Sequence, residues 1–505
     1  MVQLLEYNTL FLFLLVVLPL VILLLKRYYL LKSNKLNLPP SPPKLPIIGN
    51  LHQLGTLPHR SLRALSDKYG TLMLLRLGSS STIVVSSAEM ARELVKTHDI
   101  VLSNLPKTTA ANIFFNGCRD VAFSTYGEYW RHVKKICVVQ LLSTKRVQSF
   151  QFVREEEVEN LINKIRLSCF DGGIVDLTTM LLAVSNNVVS HCVIGRKAEE
   201  ENGPGKFGEL TRTAMVLLTD FCFGDLFPCL RWLDVVTGLI GRINATSKAM
   251  DSLFDQVIDE HKTSKSDKKD FVHILHQLQK DGMLEIDLTQ NDIKAILLDM
   301  FVGGTDTAST TLEWAMAELV NHPNIMKKAQ EEVRSSVAKN KFKIDMSVMD
   351  DEMPYLKCVI KETLRLHAPA PLLVPRETST TMKLGGYDIP GKTEVLVNAW
   401  AIQRDPKLWD RPEEFIPERY VNNPVDYKGL DFHLIPFGAG RSGCPGISFA
   451  VATVEYTLAN ILYWFDCKLP GGGAIDHEKL DMTEVNGLTV PKKFPLRLVP
   501  ALYSP

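Results

Sequence analysis

Residues 436–446 read Pro-Phe-Gly-Ala-Gly-Arg-Ser-Gly-Cys-Pro-Gly. Four glycines in eleven residues give a chain that turns tightly and approaches a flat ligand closely. Residues 447–463 then carry a long apolar helix pattern, so Cys444 stands just before a helix start. Backbone N–H groups and the helix dipole stabilise a thiolate there. A thiolate in such a loop, with Phe437 able to cover it, is what an axial iron ligand requires. Taken alone, the loop is equally a buried cysteine ahead of a helix. The nine cysteines are scattered without CxxC spacing, which reads as reduced thiols rather than a disulfide framework. The other eight are expected to be small buried hydrophobes.

Upstream, residues 289–322 form one strong helix pattern. Thr289 with Asp292 resembles a capping box, and Pro323 ends the pattern. Its middle reads Phe301-Val302-Gly303-Gly304-Thr305-Asp306-Thr307-Ala308. Two mid-helix glycines cost roughly 1 kcal/mol each against alanine, so something must compensate. Gly303 and Gly304 let a flat cofactor lie against the backbone. Thr307 bonding back to a carbonyl opens the helix into a groove for oxygen and water. Thr307 then donates to the oxygen held there, and Asp306 relays protons from solvent. The competing reading is a helix–helix contact through small residues, with Asp306 solvated.

Taken together these motifs resemble the cytochrome P450 superfamily. Phe437, Gly440, Cys444 and Gly446 match its haem-binding signature, with Gly438 inside it, and Gly303, Gly304, Asp306 and Thr307 match its oxygen-groove motif. Glu362 and Arg365, one helical turn apart, resemble the family's ion pair, and Arg419 in Phe-Ile-Pro-Glu-Arg-Tyr resembles its third member. Trp130, Lys134 and Arg376 resemble haem propionate contacts. Two departures stand out. Ser442 replaces the usual propionate-binding arginine, and Arg441 beside it points elsewhere. Lys134 replaces an arginine, giving a point charge without the fork. The loop and the stretch at 368–376 resemble plant microsomal members that act on specialised metabolites.

The resemblance implies a mainly α (α+β) fold, with a large helical haem-binding domain and a small β-rich part. It implies haem b as cofactor and Cys444 as its metal ligand. It also implies O2-dependent oxidation of a small apolar organic substrate, a terpenoid, alkaloid or phenolic compound. Electrons come from NADPH through a separate flavoprotein reductase, since the chain has no dinucleotide fingerprint of its own. A patch including Arg131 and Lys135 is a candidate docking face. The substrate pocket is expected to include Phe114, Val302, Leu372, Val374 and Leu488. Asp299 either faces that pocket as a partner for a cationic amine or is a solvated helix residue. Three rival readings remain. One is the same fold performing rearrangement, dehydration or oxidative coupling without net oxygen insertion. The others are a haem-binding sensor or carrier, and a non-haem membrane scaffold.

The chain has 505 residues, 46% hydrophobic, with 57 basic and 57 acidic side chains. That is ample for a large core. The balanced charge argues against a nucleic-acid partner. Residues 10–25 are an unbroken apolar run, with Lys26, Arg27, Lys32 and Lys35 after it and no basic residue before it. With Leu4 and Leu5 it is long enough to span a bilayer. The charge asymmetry places the body in the cytosol, on the endoplasmic reticulum membrane by resemblance. The predicted division is a transmembrane signal anchor at 1–27, a basic and proline-rich hinge at 28–46 and a catalytic domain at 47–505. Strand patterns fall at 72–77, 82–86 and 382–397, and a solvated loop at 263–270.

Overall fold

The computed structural model describes residues 21, 36–170, 172–200, 203–204, 206–263, 270–281, 286–339, 344, 352–471 and 480–503. Apart from Val21, the expected span at 1–27 lies outside the described residues, as do 28–35 of the hinge and 264–269 of the expected loop.

The main sheet begins at residue 72, just after the first helix. Strand β1 (Leu72–Leu77) turns through Gly78 into β2 (Ser80–Val85), with Leu72 opposite Val85 and Leu77 opposite Ser80. Gly78 has φ +59°, and a Cβ there would lie 2.5 Å from Leu226 O, so the turn requires glycine. The first strand matches its expected span, and the second starts two residues early. The stretch at 382–397 becomes β7 (Met382–Leu384), β8 (Tyr387–Ile389) and β9 (Glu394–Val397). Strand β9 joins β2 in parallel and takes β6 (Arg376–Glu377) on its other side, which fixes Arg376 at the sheet edge. Strand β3 (Val175–Asp176) pairs with β11 (Arg497–Leu502), which also takes β10 (Phe465–Lys468), and β4 (Glu199–Glu200) pairs with β5 (Gly203–Pro204).

The rest is helical. In order come α1 (Pro58–Tyr69), α2 (Ala88–Thr97), α3 (Thr109–Phe114), α4 (Glu128–Lys135), α5 (Thr144–Ser149), α6 (Gln151–Phe170), α7 (Leu177–Ile194), α8 (Lys206–Thr219), α9 (Phe223–Leu226), α10 (Arg231–Val236), α11 (Leu239–Thr263) and α12 (Phe271–Lys280). Then follow α13 (Gln290–Gly304), α14 (Asp306–Asn321), α15 (Pro323–Lys339), α16 (Pro354–Leu366), α17 (Ala399–Ile402) and α18 (Ile447–Trp464). The main core gathers the buried sides of α6, α7, α13, α14, α16 and α18. A second, smaller core lies between the sheet and α2. Helix α7 is apolar and long enough to cross a membrane, yet 61% of it is buried inside the protein as a core helix.

One expectation is corrected. The pattern at 289–322 is two helices, α13 and α14, interrupted at Thr305. Its start is as predicted: Thr289 and Asp292 form a reciprocal capping box. The proline-rich segment is bonded to the body. Leu74 N–H donates to Pro40 O (2.8 Å), and Asn50 Nδ2 donates to Pro43 O (3.2 Å).

Candidate active site

The cysteine loop is closed by its own backbone. Cys444 N–H donates to Phe437 O at 3.0 Å, and Gly443 N–H to Gly440 O at 3.0 Å. Gly440 holds φ +76°, and a Cβ there would lie 2.7 Å from Asp99 Oδ1 and 2.8 Å from Val95 Cγ1. The loop thus sits tightly against the end of α2. Gly446, the N-cap of α18, points its N–H at Cys444 Sγ from 3.3 Å. Cys444 is solvent-accessible. Even so, burial among surrounding protein pushes its thiol pKa up, against the Gly446 N–H and the charge of Lys134. A group both accessible and desolvated lines an internal hollow, not the outer surface.

Two cations border that hollow. Lys134 Nζ donates to Gly443 O at 2.8 Å, and Arg376 Nη2 to Ser442 O at 3.0 Å. Burial lowers both pKa values, Arg376 to about 10. No carboxylate among the described residues pairs with either. Ser442 Oγ is buried without a partner, and Arg441 turns away to Asp99 (3.1 Å). Desolvated cations without counter-ions, beside an accessible cysteine, fit a dianionic flat ligand such as haem with its two propionates. The Trp130 indole N–H donates to Val121 O (3.0 Å). Phe437 packs edge-on against Tyr427 at 5.8 Å.

The helix break lies between α13 and α14, at Thr305. Thr307 Oγ1 donates to Gly303 O at 2.8 Å, which opens the ladder as expected. Gly303 is exposed, and a Cβ on it would meet nothing within 4 Å. Gly304 is the opposite, since its Cβ would lie 2.9 Å from Val189 Cγ2. Ser185 of α7 donates to Thr305 O at 2.6 Å. Burial raises the Asp306 carboxyl pKa, and Arg212 pulls it back down. Asp306 is therefore better able than a solvated carboxylate to hold a proton.

Glu362, Arg365 and Arg419 meet in the interior. Arg365 Nε and Nη2 grip both Glu362 oxygens (2.8 and 2.9 Å), and Arg419 Nε adds a third bond (2.9 Å). Among the pocket residues, Phe114 is buried in the main core, Val302, Leu372 and Leu488 are partly buried, and Val374 is half exposed. Asp299 is partly buried. Its Oδ2 accepts the Val121 N–H (2.6 Å), and burial together with the Asp120 charge raises its pKa well above the usual range. Asp120 and Ser185 were not singled out in the sequence. For Ser185 a signal existed: the polar triplet Ser185-Asn186-Asn187 inside an apolar helix.

The cytochrome P450 family model matches residues 39–496. The chain is 53% identical to phenylacetaldehyde oxime monooxygenase of Prunus mume, over 94% of this chain and 91% of that protein. It is 52% identical to cytochrome P450 71A1 of Persea americana, over 89% and 91%. Against desmethylyatein synthase of Sinopodophyllum hexandrum identity is 48%, over 95% and 96%. A solved zebra fish cytochrome P450 with abiraterone shares the fold, with TM-score 0.73 and 23% identity over 88% of this chain and all of that one.

Proposed function

The chain belongs to the cytochrome P450 family and is a haem-thiolate monooxygenase, and on that premise we propose Cys444 as its iron ligand and small apolar plant metabolites as its substrates. The observation that carries the first assignment is the accessible, desolvated cysteine flanked by two cations without counter-ions. Reduced, CO-bound protein is expected to show the red-shifted Soret band of thiolate ligation, and Cys444→Ser to lose it. A Cys444→Ser protein that keeps both band and turnover would overturn the assignment.

When bound, haem supplies oxygen activation and C–H oxidation. The chain supplies position and protons. Thr307 commits its own proton to Gly303 O, so its remaining lone pairs are left to receive another proton. Asp306, its pKa raised, carries protons inward from the Arg212 side. Val302, Leu372 and Leu488 supply an apolar lining, which suits terpenoid, alkaloid or phenolic skeletons. Aryl aldoximes belong first in a binding panel, because a relative at 53% identity is named for one. NADPH serves as electron donor through a flavoprotein reductase docking near Arg131 and Lys135. Charge reversal there is expected to slow reduction with an unchanged haem spectrum. The intact Asp306–Thr307 pair favours monooxygenation over rearrangement, dehydration or coupling. Label from 18O2 should enter the product.

Membrane attachment is part of the proposal. The first 27 residues span the endoplasmic reticulum membrane, residues 28–46 are the hinge, and 47–505 form the catalytic domain in the cytosol. An apolar face supports this reading. Ile47, Phe221, Trp232, Val235 and Val236 are exposed. Their segments are joined through the β1–β2 turn by Gly78 N–H to Ile48 O (3.3 Å) and Ser79 N–H to Leu226 O (2.8 Å). Asn244, an exposed sequon residue on α11, is expected to stay unglycosylated; glycan there would overturn the orientation.

A further inference from the structure

We propose that Ser185 on α7 is a positioning residue that holds open the break between α13 and α14, and so sets the Thr307 hydroxyl for proton delivery. This rests on the role given above to Thr307.

In an unbroken helix Thr305 O would be filled by the Ser309 N–H. Here that bond is stretched to 3.4 Å, and the Ser309 hydroxyl adds a weak contact at 3.3 Å. The short bond comes from another helix. Ser185 Oγ lies 2.6 Å from Thr305 O and 3.3 Å from Gly304 O. Ser185 is 1% exposed and Thr305 3%, so bulk water does not compete for that carbonyl. A serine inside a helix ordinarily gives its proton to a carbonyl of its own preceding turn. Ser185 gives it across the helix interface.

Val189, one turn along α7, closes against Gly304, where even a methyl group would crowd it. Two residues of α7 thus grip the break, one by a hydrogen bond and one by packing. Thr305 Oγ1 is buried without a partner, an unfavourable feature that a continuous helix would have no reason to keep.

Removing the Ser185 hydroxyl leaves Thr305 O with only its stretched donor. The cheapest repair is to shorten the Ser309 bond to the usual length of about 2.9 Å, which winds residues 305–309 back into the helix. Rewinding brings the Thr307 N–H toward Gly303 O, the acceptor now held by Thr307 Oγ1 at 2.8 Å. The hydroxyl is then displaced from its place. A serine behind the helix thereby governs a threonine in front of it.

The test compares full-length, haem-loaded wild type with Ser185→Ala, Ser185→Thr and Thr307→Ala, using reductase, NADPH and the tightest-binding compound of the panel. Two readouts are taken: amide hydrogen exchange across residues 303–311, and hydrogen peroxide released per NADPH. Ser185→Ala is expected to slow exchange at Thr307–Ser309 several-fold and to raise peroxide release several-fold, with an unchanged reduced-CO band. Ser185→Thr, which keeps the hydroxyl, is expected to restore both. Wild-type exchange in Ser185→Ala, or no recovery in Ser185→Thr, overturns the proposal. If Thr307→Ala releases no extra peroxide, the role of Thr307 fails, while the exchange data still decide whether Ser185 holds the break. Should Ser185→Ala lose haem, Ser185→Cys, with its weaker donor, is expected to show an intermediate exchange rate; a wild-type rate there would equally refute the idea.

Discussion

At the scale of single residues, the site is defined by charges that lack partners and by one that has too many to lose. Arg376 and Lys134 face the cysteine loop without a carboxylate, and Ser442 offers no third cation. A charge-assisted hydrogen bond is worth about 1.5–3 kcal/mol, so Arg376→Ala is expected to speed haem loss about tenfold or more. Haem transfer to an excess of apo-acceptor measures this; an unchanged rate would show that Arg376 does not hold the cofactor. Arg365 is the opposite case. Besides Glu362 it serves the carbonyls of Gln403, Pro412 and Glu414, all within 3.1 Å. Lysine reproduces the charge but not the fork. Arg365→Lys is therefore expected to cost about 3–5 kcal/mol in urea unfolding, as for a broken buried network. Cys444, Asp306, Thr307, Glu362, Arg365 and Arg419 were legible because each sits where its residue type is unusual or in a recognisable spacing. The contact of Ser185 was not, because its partner lies 120 residues away, and the polar triplet around it says only that the helix needs a polar partner there.

At the scale of elements, boundaries set by caps were readable and interruptions were not. The Thr289–Asp292 box announced the start of α13, since a cap is a local interaction. The break at Thr305 depends on α7 behind it, so Gly303 and Gly304 looked equivalent in sequence. The same holds for the π-helical turn Ile136–Leu141 that continues α4, which no periodicity disclosed. In the fold the two glycines differ, and substitution separates them. Gly304→Ala must displace Val189 and is expected to lower thermal stability. Gly303→Ala meets no neighbour, so the helix gains up to about 1 kcal/mol while the methyl group takes up open space beside the break. The expected result is a melting temperature at or above wild type, with a weakened substrate-induced spin shift. Equal melting temperatures for the two variants would contradict this account of the break.

At the scale of the whole molecule, distant parts of the chain are tied by buried carboxylates, which makes stability a function of acidity. Glu484 accepts from His59 Nε2 (3.1 Å) and Arg60 Nε (2.9 Å), joining the C-terminal segment to α1. Glu318 pairs with His367 (2.6 Å) and His322 (3.3 Å), joining α14 to the chain leaving α16. Burial alone would raise both carboxyl pKa values, but the hydrogen bonds from these partners outweigh it and hold each at about 2, against an ordinary 4.5. Because the folded value lies below the unfolded one, the stabilisation is complete above about pH 4.5 and is lost as pH falls through about 2. Each pair contributes at most about 3 kcal/mol on this basis. Urea midpoints are expected to fall steeply between pH 4.5 and 2. Glu484→Gln and Glu318→Gln should be less stable than wild type near pH 6 and converge with it near pH 2. Variants that run parallel to wild type across that range would show that other groups control acid unfolding.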